Sequence, residues 1–137
     1  MQLYTEPYRF VKFSMSDPTP SIEFFEGISE ELSDVSLRQN RATGARSVLM
    51  VFKALRSIER FRSYTNRFAK ALLLTDVEGK ISIEPSSVKI IFGGPEGDDL
   101  QRVECRFEID QTEHWERFMR FMHRYAEAND MTYGDAQ

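Results

Sequence analysis

The chain has 137 residues, a hydrophobic fraction of 41% that includes eleven Phe, and a net charge of -4. That length suits one compact domain able to bury about two thirds of its unfolded surface. A single cysteine, Cys105, excludes an intrachain disulfide, so core packing has to stabilise the fold, and a reducing compartment fits. No run approaches the roughly 20 apolar residues of a membrane span. Residues 1 to 20 carry Glu6, Arg9, Lys12 and Asp17 and look like neither a signal nor a transit peptide.

In chain order, residues 1 to 20 show no period and end in Ser16-Asp17-Pro18-Thr19-Pro20, which predicts a flexible extension ahead of a single domain over 21–137. Ile22 to Phe25 is a short apolar run closed by Gly27. Val35 to Asn40 alternates, and Arg41-Ala42-Thr43-Gly44 predicts a hairpin turn with Gly44 at positive φ. Ala45 to Lys53 is apolar on both parities, the pattern of a central strand covered on both faces. Leu55 to Phe68 keeps helical spacing only roughly, so a short helix and an ordered loop both fit. Ala69 to Thr75 reads as a strand, Asp76-Val77-Glu78-Gly79 as a turn, and Lys80 to Glu84 as a return strand ended by Pro85. Val88 to Phe92 and Arg102 to Ile109 flank a hairpin loop, Gly93 to Asp99. In the last strand Val103, Cys105, Phe107 and Ile109 share one face and Arg102, Glu104, Arg106 and Glu108 the other.

Gln111 to Asn129 is a helix with Trp115, Phe118, Met119, Met122 and Ala126 on one apolar stripe. Asp110 and Glu113 have capping-box spacing, with Thr112 a rival cap. Glu113–Arg117 and Glu116–Arg120 are ordered as i, i+4 ion pairs. The expected class is therefore α+β: an antiparallel β-sheet with one long C-terminal helix packed on it and a short helix or ordered loop between central strands.

Chemistry is harder to assemble. His114 and His123 lie nine residues apart on one helix, hence on opposite faces, and cannot share a metal. Cys105 sits at the inward parity of its strand, where a free thiol acts as a small hydrophobe. The Gly93-Gly94-Pro95-Glu96-Gly97 loop lacks the Lys-Ser/Thr ending and following helix of a phosphate-binding loop. Nothing has the spacing of a calcium or zinc site. No catalytic residue, cofactor or metal is expected. Charge is more informative: from Arg38 to Lys70 nine basic residues stand against one acid, Glu59, so that third is +8 and the rest of the -4 chain is -12. Such a basic third suits an acidic peptide, an anionic membrane or a nucleic acid. It equally suits arginines that merely keep solvated strand faces soluble.

The segment from His114-Trp115-Glu116-Arg117-Phe118 through Met122-His123-Arg124-Tyr125 to Ala128-Asn129 resembles the C-terminal helix of a photosystem II assembly-factor family, number twenty-eight in the Psb subunit series. Ile22 to Gly27, Val35 to Arg41 leading to Gly44, and Thr75 to Gly79 are similar to the same family in the same order. His123 stands where the family usually has an acid, Leu55 to Phe68 is more basic, and the Gly93 loop is enlarged, so the chain looks like a second, divergent form.

The resemblance implies a non-catalytic, peripheral protein on the cytoplasmic (stromal) side of the thylakoid membrane. It implies transient attachment to immature photosystem II, with contacts to core subunits: reaction-centre subunits and the C-terminal tail of the larger inner antenna protein. The oligomeric state is open, with a monomer expected in the bound form. The candidate contact surface is Arg46, Lys53, Arg56, Arg60, Arg62, Arg67 and Lys70, pairing with acids or lipid headgroups. An extended partner segment would join the edge of the Ala45–Lys53 or Ala69–Thr75 strand. The alternative, a nucleic-acid-binding module using residues 38 to 70, would need aromatics for base stacking. Most of the aromatics fall at core parity and the net charge is negative, so nucleic acid is not the expected partner.

Overall fold

The computed structural model describes residues 19–62 and 71–134; the expected N-terminal extension lies outside them up to residue 18, as do residues 63–70. The elements are β1 (Ser21–Phe25), β2 (Ile28–Glu30), β3 (Asp34–Gln39), β4 (Arg46–Phe52), α1 (Ile58–Arg62), β5 (Leu72–Asp76), β6 (Gly79–Ile83), β7 (Ser87–Gly93), β8 (Asp99–Ile109) and α2 (Thr112–Ala128). The α+β class and the long C-terminal helix are as expected. The strands divide into two antiparallel four-stranded sheets, ordered β2-β1-β5-β6 and β3-β4-β8-β7. β2 has no counterpart in the sequence reading. It is three residues long, with Ile28 half-buried and a glutamate, Glu30, at its buried position, so it shows no apolar alternation. Leu55 to Phe68 resolves in part: α1 is the short helix, and 63–68 lie outside the described residues.

The two sheets and α2 share one core. Ile22, Leu72 and Leu74 come from the first sheet, and Val48, Met50, Val103 and Cys105 from the second. Phe24 of β1 meets Phe52 of β4 edge-on at 5.1 Å between ring centroids, joining the sheets. α2 packs on β5 and β8, an inner strand of each sheet, and Phe118 sits edge-on against Phe107 at 5.6 Å. β8 has the expected alternation, with Val103, Cys105, Phe107 and Ile109 buried. β4 departs from the reading of two covered faces: Val48, Met50 and Phe52 are buried, while Leu49 and Val51 are half-buried on the open face of their sheet.

The helix face is also turned from the expected stripe. Phe118 and Met122 are buried, but the other buried positions are Phe121 and Tyr125, whereas Trp115, Met119 and Ala126 are half-buried. Each buried aromatic of this size contributes about 1.5–3 kcal/mol. Tyr125 is amphipathic, and its hydroxyl accepts a hydrogen bond from the buried Leu32 N–H at 2.9 Å. The expected capping box does not form: the N-cap is Gln111, without a side-chain capping hydrogen bond. At the other end Asp130 takes a positive φ of 57°, and the Met131 N–H donates to the Ala126 carbonyl at 2.8 Å. This is the Schellman reversal, in which Asp tolerates the left-handed region better than most residues.

The expected i, i+4 pairs give way to longer-range ones. β5 and β6 are joined by a two-residue turn, Val77-Glu78, closed by Gly79 at φ 128°, and the Glu78 N–H donates to Asp76 Oδ1 at 3.0 Å. The turn aims two carboxylates at one side of α2. Arg117 donates from both Nη atoms to the Asp76 oxygens at 3.0 and 2.6 Å. Arg120 grips Glu78 through Nε at 2.8 Å and Nη2 at 3.0 Å. Arg124 Nη1 bridges Asp76 at 2.8 Å and Glu78 at 2.6 Å.

Asp76 is wholly buried at its side chain. Burial pushes its pKa up, but the hydrogen bonds from Arg117 and Arg124 outweigh that and hold it below the usual carboxylate value. Hydrogen bonds from Arg120 and then Arg124 bring Glu78 down to about 2. Both carboxyls thus have lower pKa values folded than unfolded. Their charged forms stabilise the fold above the ordinary carboxylate pKa of roughly 4, and this contribution is lost as pH falls toward the folded values. Asp76→Asn is expected to cost about 3 kcal/mol at neutral pH, the lower end for a broken buried pair because its arginine partners keep contact with water. The variant's urea midpoint should also fall less than that of the parent chain as pH drops below the ordinary carboxylate pKa of roughly 4.

Candidate functional site

Two surfaces come out of this frame. The first is the basic segment that follows β4. Glu30, buried on β2, accepts the Arg56 N–H at 2.7 Å, the Ser57 N–H at 3.0 Å and the Ser57 hydroxyl at 2.6 Å. The Lys53 N–H donates to Ser33 Oγ at 3.0 Å. These bonds fix the backbone while the Lys53, Arg56 and Arg60 side chains stay exposed. Arg60 rises from α1 with its guanidinium carbon 5.8 Å from the centroid of the Phe25 ring, and α1 is seated by Phe61 against Phe24 and Phe25. Arg46 stands apart, at the opposite end of β4 and about 24 Å from Lys53 by strand rise, half-buried with its guanidinium over Trp115 at 5.6 Å. Arg62 ends α1. Arg67 and Lys70 lie outside the described residues. Lys53, Arg56 and Arg60 thus lie on the segment after β4, held by Ser33, by Glu30 of β2 and by Phe25 of β1, and Arg46 does not.

The second surface was not anticipated. A groove of about 640 Å³ runs between β3 and α2, lined by residues 34 to 38 on one side, Met119, Met122, His123 and Ala126 on the other, and the C-terminal residues 131 to 134. The reversal at Asp130 folds that tail back, so that Met131 packs on the core and the Tyr133 ring meets His123 at 5.4 Å. β3 is an outer strand and its far edge has no neighbouring strand among the described residues. The Asn40 N–H donates to the Ala45 carbonyl at 2.7 Å. By antiparallel alternation Asp34, Ser36 and Arg38 direct their backbone groups to β4, and Val35 and Leu37 direct theirs outward.

The topology corrects the expected docking strands. β4 lies between β3 and β8, and β5 between β1 and β6, so both are saturated on each side and neither can accept another strand. The free edges among the described residues are β2, β3, β6 and β7. Only local signals pointed to β4 and β5, and edge position is a property of long-range pairing. The aromatics a base-stacking surface would need are largely inside: Phe24, Phe52, Phe61, Phe107, Phe118 and Phe121 are all buried, which leaves the nucleic-acid reading without support. Burial also pushes the Cys105 thiol up to about 12, so it is no nucleophile at neutral pH.

Replacing Glu30 by Ala should free the Arg56 and Ser57 amides and loosen the basic segment. The expected outcome is faster hydrogen exchange confined to residues 53 to 62, with a total stability loss of about 1–3 kcal/mol for the orphaned donors.

Residues 22–133 match the family model described as Psb28 protein. The chain is 32% identical over 117 residues to a protein of Cyanophora paradoxa, covering 85% of this chain and 96% of that one. It is 31% identical over 117 residues to one of Pyropia yezoensis, again covering 85% and 96%. Over 116 residues it is 30% identical to one of Thalassiosira pseudonana, covering 84% and 96%. All three are named Photosystem II reaction center Psb28 protein. With a match that runs from β1 past the end of α2, the chain belongs to the Psb28 family.

Proposed function

We propose that this chain is a non-catalytic assembly factor of photosystem II, attaching transiently to the cytoplasmic (stromal) face of the immature complex. The observation that carries the reading is the family match over 22–133 together with relatives, named for the photosystem II reaction center, that are covered over almost their whole length. No described helix is long and apolar enough to cross a membrane, which fits peripheral attachment at the thylakoid. The partners are core subunits, among them reaction-centre subunits and the C-terminal tail of the larger inner antenna protein.

An extended tail needs backbone partners and side-chain pockets. The β3 edge supplies the first and the adjoining groove, with Val35, Leu37, Met119 and Met122, the second. Lys53, Arg56 and Arg60, held exposed on a fixed backbone, supply positive charge for acids on the partner or for anionic headgroups. Arg62, Arg67 and Lys70 extend the same basic run in sequence. Long side chains on a solvated surface attract through a screened field, so the attachment weakens as ionic strength rises.

The test is recovery of photosystem complexes on the tagged chain from thylakoid extract, resolved by native gel at low and at high salt. Complexes lacking the extrinsic oxygen-evolving subunits should come down at low salt and be lost at high salt. The variant carrying Arg56→Glu, Arg60→Glu and Arg62→Glu should lose at least tenfold in recovery. Undiminished recovery with that variant would remove the basic segment from the interface, and recovery of no photosystem component would overturn the whole reading.

A further inference from the structure

The free edge of β3 carries a sequence complementary to its own reverse. Its sequence from Asp34 to Arg38 reads Asp-Val-Ser-Leu-Arg, with opposite charges two residues either side of Ser36. An antiparallel twin placed on a two-fold axis at Ser36 sets Asp34 opposite the second copy's Arg38, and Val35 opposite its Leu37, at both ends at once. We propose that the free chain forms a two-fold homodimer in this register, joining two four-stranded sheets into one of eight strands.

The backbone permits the same register. Val35 and Leu37 are the residues whose N–H and C=O groups point outward, so a twin can bond only where outward residues face each other. Shifting the axis to Val35 sets Arg38 against Leu32, and shifting it to Leu37 sets Arg38 against Ser36. Only the axis at Ser36 meets both the bonding parity and the charge pairing. In that register Asp34 and Arg38 occupy non-hydrogen-bonded pairs, where facing side chains come closest.

Both residues are exposed, and neither takes an ion-pair partner among the described residues, so neither contact has to be broken first. Edge strands usually deter such pairing with charge of one sign; here the two signs are arranged to attract. On the groove side, Val35 and Leu37 pack partly against the core and would meet their counterparts across the axis, extending an apolar surface that one copy leaves half open. Two six-residue strands make a small interface, so the dimer is weak and concentration-dependent. It would cover the edge assigned above to a photosystem tail, although the self-pairing stands on β3 alone and does not depend on that assignment.

The test is sedimentation equilibrium on the full chain with two exposed-site variants, each checked for an unchanged thermal melt. The parent chain should rise from the mass of one copy toward twice that mass with concentration. Asp34→Arg alone sets two arginines against each other across the axis, and Arg38→Asp alone sets two aspartates against each other; each should weaken association at least tenfold. An equimolar mixture of the two variants should associate again, since every arginine at the axis then faces an aspartate of the other chain. A parent chain that stays monomeric at millimolar concentration overturns the proposal, as does association undiminished in both single variants. A mixture that fails to recover overturns it too.

Discussion

The position of α2 depends on the ion-pair cluster between the β5–β6 turn and one side of the helix. Burying Phe118, Phe121 and Met122 would hold a helix somewhere over the two sheets, but apolar contact is non-directional and would tolerate rotation or sliding. Arg117, Arg120 and Arg124 fall at i, i+3 and i+7, and the Asp76–Glu78 turn meets all three. A bidentate guanidinium–carboxylate contact has fixed geometry, so the cluster sets both the rotation of the helix and its height along the sheet. Once α2 is set, the Tyr125 hydroxyl reaches the Leu32 amide, and the opposite flank of the helix becomes one wall of the groove beside β3.

Local regularity was what the sequence made readable. β8 could be read from its strict alternation of apolar and charged residues, and each alternate side chain is where that pattern put it. The hairpin at Gly44 followed from the turn residues alone, and its φ is +77°. α2 was evident as a helix, but its face was not. Met119 and Ala126 look apolar and are half-buried, while Tyr125 looks amphipathic and is buried because a distant amide needs its hydroxyl.

What escaped was everything decided by partners far away in the chain. The order of strands in a sheet is set by pairings between residues dozens of positions apart, which is why β4 and β5 could be taken for docking strands although they are interior. The i, i+4 helix pairs were plausible at a few tenths of a kcal/mol each, and bidentate contacts with the β5–β6 turn replaced them. Of the basic residues singled out, Lys53, Arg56 and Arg60 are exposed on the segment that follows β4, whereas Arg46 lies at the start of that strand over Trp115. The role of Glu30 in fixing that segment had no sequence signature, since a lone acid in a short polar stretch reads as solvent-facing.

Cys105 has a practical consequence. It is the only cysteine, it is fully buried in the second sheet beneath α2, and its proton is held far above neutral pH. A thiol probe in solution therefore reacts only when the central strands separate, so the rate of alkylation clocks the opening of the core, with no engineered label and no background from other sites. Any binder that clamps the sheet slows that clock, which turns a residue with no chemistry of its own into a gauge of how firmly the fold is held in each of its complexes.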